Sequence, residues 1–586
     1  MRTSTDDSAG SSADRSTDHS TDSTSRGTGG PGRWRPPRLG RARRDGRRRG
    51  TGRLVAAALA LATAAWWCPS ATSAAASSPT PTLDGASIDR YVHAYLERTD
   101  LPGAAVAVTR GDQVIRAAGY GHTAAGDAMT ARTPVPVSSL SKSMTALAVM
   151  QLVERGAVDL DQPVRRYLPE FTMDDARAAE ITVRQLLTQT SGMADSAHPD
   201  LTRPQPDTLA EAVAALRDAG LAADPGTAWN YHNTNYAVAA RLVEVVGGRP
   251  FADYLAANVF RPLGMSHTAS VDTTDDMPEH ARGYVRAYGM LFSRAHPRWF
   301  AAGAFGVVST AADLADWLIA QHNHGTSAAG HRVVSAASID AMHTPPEGRE
   351  YAMGWSVSPS GEEPRRIQHT GQLLTQNSIQ TLLPDSGIGI AITTNTAMVS
   401  GDDAAVMLEG LIDLAEGRSP SVGTPFSMRA DYVLAALTLL ALALGTLGVV
   451  RASRWARRTA DRPLWRAALR TLPHLLPLLL FVELTSLVGL LTNRQGTLAQ
   501  LMYIWPALVI LTGTAALAST ALVTARTLAV LHVRRRGRLG RDRAGLGGWG
   551  RPRLSVTGGN LSGGTAGRST SGDSCAVPLH VLPSGE

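Results

Sequence analysis

Ala104-Ala105-Val106-Ala107-Val108, Arg110-Gly111-Asp112 and Gln113-Val114-Ile115-Arg116-Ala117 read in order as strand, turn and strand, the two arms of a hairpin. Much later, Ile367–His369, Ser378–Leu383 and Ile388–Thr394 are apolar, β-branched runs separated by glycine and by Pro384-Asp385-Ser386-Gly387. If these late strands return to the first hairpin, they make one antiparallel sheet with helices between them in sequence. That is an α+β layout. Among the intervening helices, Ser141 to Glu154 places Met144, Leu147, Ala148, Leu152 and Val153 at helical spacing.

Outward from this region the composition changes sharply. Residues 1–53 are rich in Ser, Thr, Asp, Gly and Arg and read as a disordered basic region, too poor in large apolar side chains to offset the entropy of ordering. Residues 83–418 have the balanced mixture of a globular domain. The net charge of +7 does not belong to that domain, because arginines cluster at 33–53, 451–470 and 526–553. Each cluster abuts an apolar segment, so membrane topology accounts for them better than nucleic-acid binding. Cys68 and Cys575 both fall outside 83–418, which leaves no disulfide framework or cysteine metal site there.

Residues 54–76 join an apolar run after Arg47-Arg48-Arg49 and Arg53 to Ala74-Ala75-Ala76, the pattern of a signal peptide or retained signal anchor. Trp66 and Trp67 are too bulky to precede a lipidated Cys68. Three further apolar stretches, 432–450, 471–492 and 501–525, read as transmembrane helices, an all-α segment ending in a disordered cytoplasmic tail at 526–586. The arginine-rich loop 451–470 and the tail are placed in the cytoplasm by the positive-inside rule, which puts 83–418 outside it. Loop 493–500 carries Arg494 alone. Glu483, inside the second stretch, is a functional candidate by position. No second acid or base accompanies it, which favours a hydrogen bond to a Thr or Ser of a neighbouring span.

Ser139 and Lys142 stand three apart at the head of the 141–154 helical pattern, so the Ser139 hydroxyl and the Lys142 amine can meet on one face. The helix start also supplies backbone N–H groups for an oxyanion. Lysine can act as a base once its pKa is lowered, whereas arginine cannot. Lys142 is the one lysine among 57 basic residues. A surface lysine could as well have been arginine.

The motifs continue along the chain: Leu101-Pro102-Gly103, Ser139 to Ala146, Met150 to Asp161, Ile181 to Gly192, Tyr231 to Tyr236, Pro262 to Met265, Ser309 to Leu314 and His369-Thr370-Gly371. Together they resemble the beta-lactamase-related serine hydrolases, a group that includes class C beta-lactamases, penicillin-binding D-alanyl-D-alanine carboxypeptidases, D-aminopeptidases and esterases. The resemblance implies an antiparallel sheet flanked by helices, with a helical cluster beside it and the site between. It implies Ser139 as nucleophile, with Lys142 and Tyr231 moving its proton. Asn233, His369, Thr370, Gly371 and Gln372 would bind substrate, the backbone N–H groups of Ser139 and Gln372 forming the oxyanion hole. Gly371 would let substrate approach the backbone. Histidine at 369, where the family's beta-lactamases carry lysine, shifts the expectation toward peptidase or esterase work.

His322, His324 and His331 lack a carboxylate or cysteine at ligand spacing and read as an exposed loop. No metal or other cofactor is expected. The expected partners are a small-molecule or peptide substrate and the lipid bilayer, with no nucleic acid; the sequence leaves the oligomeric state open. The leading reading is a membrane-anchored extracytoplasmic serine hydrolase acting on D-amino-acid peptides, cell-wall fragments, beta-lactams or esters. The rival is a non-catalytic or sensory module that binds ligand and signals through the spans. The complete set Ser139, Lys142 and Tyr231 argues against the rival.

Overall fold

The computed structural model describes residues 82–397 and 402–546. The N-terminal region, the signal segment and both cysteines lie outside the described residues. The first hairpin forms as Gly103–Arg110 and Gln113–Gly121, turning at Gly111, whose φ of 56° suits glycine. Late strands Ile367–Leu373, Gln376–Leu383 and Ile388–Thr394 return to it. Across the sheet the order is 113–121, 103–110, 388–394, 376–383, 367–373 and 356–357. The join between chain ends is antiparallel, with Ala104 opposite Thr394 and Val106 opposite Ile392.

Both faces of the sheet are covered, so its central strands are buried along their length. Val106, Val108, Ile390 and Ile392 face a core completed by helices Gly85–Thr99 and Asp402–Ala415. On the other face Ala107, Leu382 and Ala391 join a larger core with Trp317 and Trp355, which extends into the helical cluster. That cluster includes helix Ser141–Glu154, buried at nearly every position, and helix Asn233–Gly247. Strand 367–373, flanked on its outer side only by the two-residue strand 356–357, runs alongside the turn that carries Ser139, and the site forms between the two.

Helices Phe426–Val450 and Pro506–Leu539 are each long and apolar enough to cross a membrane, and a bent pair, Leu464–Val482 with Leu484–Thr492, adds a third candidate. Gly445 lets the first and last approach closely, since a Cβ there would fall 2.6 Å from Ala518 Cβ. Three details differ from the sequence reading. The second stretch bends by 57° at Glu483, which terminates one helix and starts the next. Its carboxylate is exposed and meets no Thr or Ser among the described residues. The third stretch is divided at Trp505, because Pro506 disfavours helical backbone in the residue before it. Finally, the last helix continues through Leu546, into the stretch expected to be disordered. Its arginines are good helix formers, and helix already propagating needs no new nucleus.

Candidate active site

Ser139 sits in a 3-10 turn, Ser138–Leu140, that leads directly into helix Ser141–Glu154. Ser138 before it is fully buried with φ 53°, a conformation a non-glycine residue holds only when its surroundings enforce it. The enforcement is visible: Ser141 Oγ donates to Ser138 O at 2.6 Å, and Ser378 Oγ donates to Val137 O at 2.8 Å. Gly371 completes the clamp. A Cβ there would lie 2.8 Å from Val137 O and 2.9 Å from Ser138 Cβ. The close approach at Gly371 is therefore made by the nucleophile turn of the chain itself.

Lys142 is fully buried one turn on, its Nζ 3.1 Å from Ser139 Oγ. The same nitrogen lies 3.0 Å from Asn233 Oδ1 and 2.9 Å from Ala304 O. A neutral amine has two N–H bonds and one lone pair. With both N–H groups donated to Asn233 and Ala304, the lone pair is left for the Ser139 hydroxyl. The electrostatics agree, since burial above all, and then the charge of Arg494, pull the Lys142 pKa well below the usual lysine value.

Tyr231 presents its ring 4.8 Å from Lys142 Nζ. Burial pushes its phenol up to about 12, against the opposing effects of a Ser139 hydrogen bond and Arg494. At neutral pH it is a proton donor, and Lys142 is the better base of the two. His369 is buried, and its Nδ1 lies 2.6 Å from Thr370 O. A carbonyl only accepts, so Nδ1 carries the hydrogen and Nε2 accepts from Tyr351 Oη at 3.1 Å. Burial, with Lys142 adding, lowers the His369 pKa to about 3, so this histidine brings no positive charge. Thr370 and Gln372 alternate outward from the same strand into the cleft. The structure thus brings together Ser139, Lys142, Tyr231, Asn233, His369, Thr370, Gly371 and Gln372.

Other residues emerge that sequence reasoning gave no role. Gln189, buried at φ 60°, accepts from His232 N at 3.0 Å and Asn235 Nδ2 at 2.6 Å, so it holds the middle of the Tyr231–Asn233 corner and the residue just beyond it. It lies within the Ile181–Gly192 motif, which was the available signal. Tyr351 stacks edge-on against Tyr231 at 6.1 Å. More unexpected is Arg494, from the loop between two apolar helices. Its Nη2 is 3.3 Å from Asp200 Oδ1 and its Nε 3.6 Å from Asp195 Oδ1. Next to it, Gln495 N donates to Asp195 Oδ2 at 2.8 Å, and Gln500 Nε2 donates to Leu201 O at 2.9 Å.

Asp195, Asp200 and His232 bring ligand atoms within 4.8 Å of one another, the spacing of a metal site, but the Arg494 guanidinium already stands against both carboxylates. Burial holds His232 neutral. Burial also raises Asp195 to about 6, whereas at Asp200 burial is outweighed, chiefly by the charge of Arg494 with hydrogen bonds adding to it, and the pKa is lowered. Ser139 opens into a cavity of about 500 Å³, in which Arg494 is the one formally charged lining residue among the described residues. In the histidine tract His324 and His331 are exposed, and His322 ends helix Ala311–His322.

Comparison with known proteins places this arrangement in context. A family model described as Beta-lactamase matches residues 88–409. Penicillin-binding protein 4 of Amycolatopsis lactamdurans is 32% identical over 346 residues, covering 56% of this chain and 89% of that one. Protein flp of Staphylococcus aureus is 26% identical over 314 residues, covering 53% of this chain and 62% of its own length. Among solved structures, the octameric penicillin-binding protein homologue from Pyrococcus abyssi matches at 24% identity and a TM-score of 0.49, over 60% of this chain and 81% of that one.

Proposed function

The chain belongs to the beta-lactamase family, and on that premise we propose that it is a membrane-anchored, extracytoplasmic serine hydrolase that works through an acyl-enzyme on Ser139. The observation that carries the reading is the buried Lys142 amine, 3.1 Å from the Ser139 hydroxyl and held below its ordinary pKa. Ser139 Oγ attacks a carbonyl carbon and its proton passes to Lys142 Nζ. The backbone N–H groups of Ser139 and Gln372 hold the developing oxyanion. As the carbonyl collapses, the C–N or C–O bond breaks and Tyr231 relays the proton to the leaving group. Water then attacks the acyl ester, which releases the acid and restores the Ser139 hydroxyl.

The substrate class is an amide or ester: a D-amino-acid peptide, a cell-wall fragment, a beta-lactam or a simple ester. The neutral His369 favours peptidase or esterase work over beta-lactam turnover. An outward-facing domain is supported by the chain's charge pattern. Loop 493–500 packs on the hydrolase domain, whereas the arginine-rich 451–470 segment joins the opposite ends of its helices. Labelling the full chain with a fluorophosphonate and with a fluorescent penicillin tests the reading. Ser139 should be modified in the wild type and not in Ser139→Ala. Failure of both probes to modify Ser139 would sink it.

A further inference from the structure

The cavity that contains Ser139 does not end within the hydrolase domain. Its lining also includes Thr485 and Val488 of helix Leu484–Thr492 and Leu501 and Ile504 of helix Leu498–Ile504, together with Trp299 and Phe305. Helix 484–492 is half of a bent pair apolar enough to cross a membrane. The nucleophile therefore shares one continuous space with side chains of the membrane-type helices.

This part of the lining is fixed in place. Arg494, Gln495 and Gln500 tie the connecting loop to Asp195, Asp200 and Leu201. On the other side of the helix 498–504 turn, Tyr503 Oη donates to Ala295 O at 3.0 Å, and Arg294 stacks over the Tyr503 ring at 3.7 Å. Trp505 Nε1 and Tyr288 N both donate to Asp431, at 2.9 and 2.8 Å. These bonds clamp the 283–294 hairpin, the helix 426–450 start and the 498–505 turn into one body, so the apolar end of the cavity is a standing part of the site.

We propose that the site takes amphiphilic substrates, amides or esters that carry an apolar chain which lodges between Val488, Leu501 and Ile504 while the carbonyl sits at Ser139. Helix 484–492, which supplies Thr485 and Val488, belongs to a bent pair apolar enough to cross a membrane, so a chain seated at this end would lie beside a bilayer-spanning segment. A water-soluble peptide or beta-lactam would fill the polar end near Thr370 and leave the apolar end empty. The proposal rests on the serine hydrolase reading and adds the substrate's hydrophobic chain to it.

The full chain in lipid nanodiscs is assayed with two ester series: p-nitrophenyl acetate to octanoate, with the chain on the acyl side, and methyl to octyl acetate, with the chain on the leaving side. Each buried methylene favours transfer from water by roughly fourfold, so kcat/KM should rise by about tenfold or more along at least one series. Val488→Trp, which fills the apolar end, should lower the octyl-to-short ratio of that series by about the same factor. Thr485→Phe serves as a second variant, and fluorophosphonate modification of Ser139 reports whether each retains an assembled site. Flat dependence in both series, with Ser139 labelled and short esters turned over, overturns the chain-binding proposal and leaves the hydrolase reading standing. An unchanged ratio in two labelled variants overturns it as well. A wild type that neither labels nor turns over any ester fails at the earlier step, and both readings fall.

Discussion

Arg494 Nη2 lies 3.3 Å from Asp200 Oδ1, joining two points 294 residues apart in the chain and fixing a charge beside the cleft. That charge reaches the base. Burial is the main cause of the lowered Lys142 pKa, Arg494 adds to it, and Asp200 opposes it. Removing the guanidinium leaves Asp200 unopposed, and both changes favour a protonated Lys142. In Arg494→Gln the acidic limb of the kcat/KM profile should therefore move to higher pH, with the greatest loss of rate on the acid side. The measurement is p-nitrophenyl acetate hydrolysis across pH in nanodiscs. A limb that stays put or moves to lower pH would exclude this electrostatic link.

Gln189 makes a separate prediction, about positioning. Its Oε1 accepts from both the His232 amide, between the Tyr231 and Asn233 that face Lys142, and the Asn235 side chain just beyond them. In Gln189→Leu two buried donors lose their acceptor, at about 1–3 kcal/mol each. The Tyr231 corner would then shift, and a displacement near 1 Å at a reacting group can lower the rate about a hundredfold. The rate of Ser139 modification by fluorophosphonate should fall by about tenfold to a hundredfold, and Gln189→Glu, which keeps an acceptor there, should recover part of it. Equal rates in wild type and Gln189→Leu would show that the corner is held by other contacts.

Much of this was legible beforehand, for identifiable reasons. The hairpin and the three late strands announce themselves because β-branched runs bounded by Gly and Pro admit few alternatives, and their pairing closes one sheet. Ser139 and Lys142 share a helix start, so local spacing alone brings them together. Arg494 was legible only as a charge in a short loop. Its partners, Asp195 and Asp200, lie some 300 residues away, and no local pattern encodes a contact of that range. Gly371 shows the other limit: its glycine was attributed to an approaching substrate, whereas the neighbour at contact distance is the turn at Val137 and Ser138.

That packing gives Gly371→Ala a definite outcome. The new methyl would sit 2.2 Å from Ser378 Oγ, which can rotate, but also 2.8 Å from Val137 O and 2.9 Å from Ser138 Cβ, which can move only with the nucleophile turn. Overpacking of this kind destabilises by about 1–3 kcal/mol. Activity should fall further than stability implies, because the strain falls on the residue before Ser139. Thermal unfolding and Ser139 labelling rate, measured on the same preparation, check this. A labelling rate that matches the wild type would mean that the strand, and not the turn, absorbs the methyl.

Lys142 itself should weaken the fold it serves. In the folded protein burial brings its amine to lose its proton well below the usual lysine range, whereas an unfolded lysine is protonated up to about pH 10.4. Between the folded pKa and that value the unfolded chain binds the extra proton. Wild-type stability should therefore rise with pH there, by about 1.4 kcal/mol per unit relative to a chain without the group. Lys142→Met fills a similar volume and has nothing to titrate. Its loss of the contacts to Asn233 and Ala304 subtracts an offset that does not vary with pH, so the slope is the diagnostic quantity. The stability of Lys142→Met relative to wild type should be greatest at low pH and decline steadily toward pH 10, while Ser139 labelling is lost throughout. Parallel stability curves would mean that Lys142 keeps its proton in the folded protein, and a lysine so charged could not take one from Ser139.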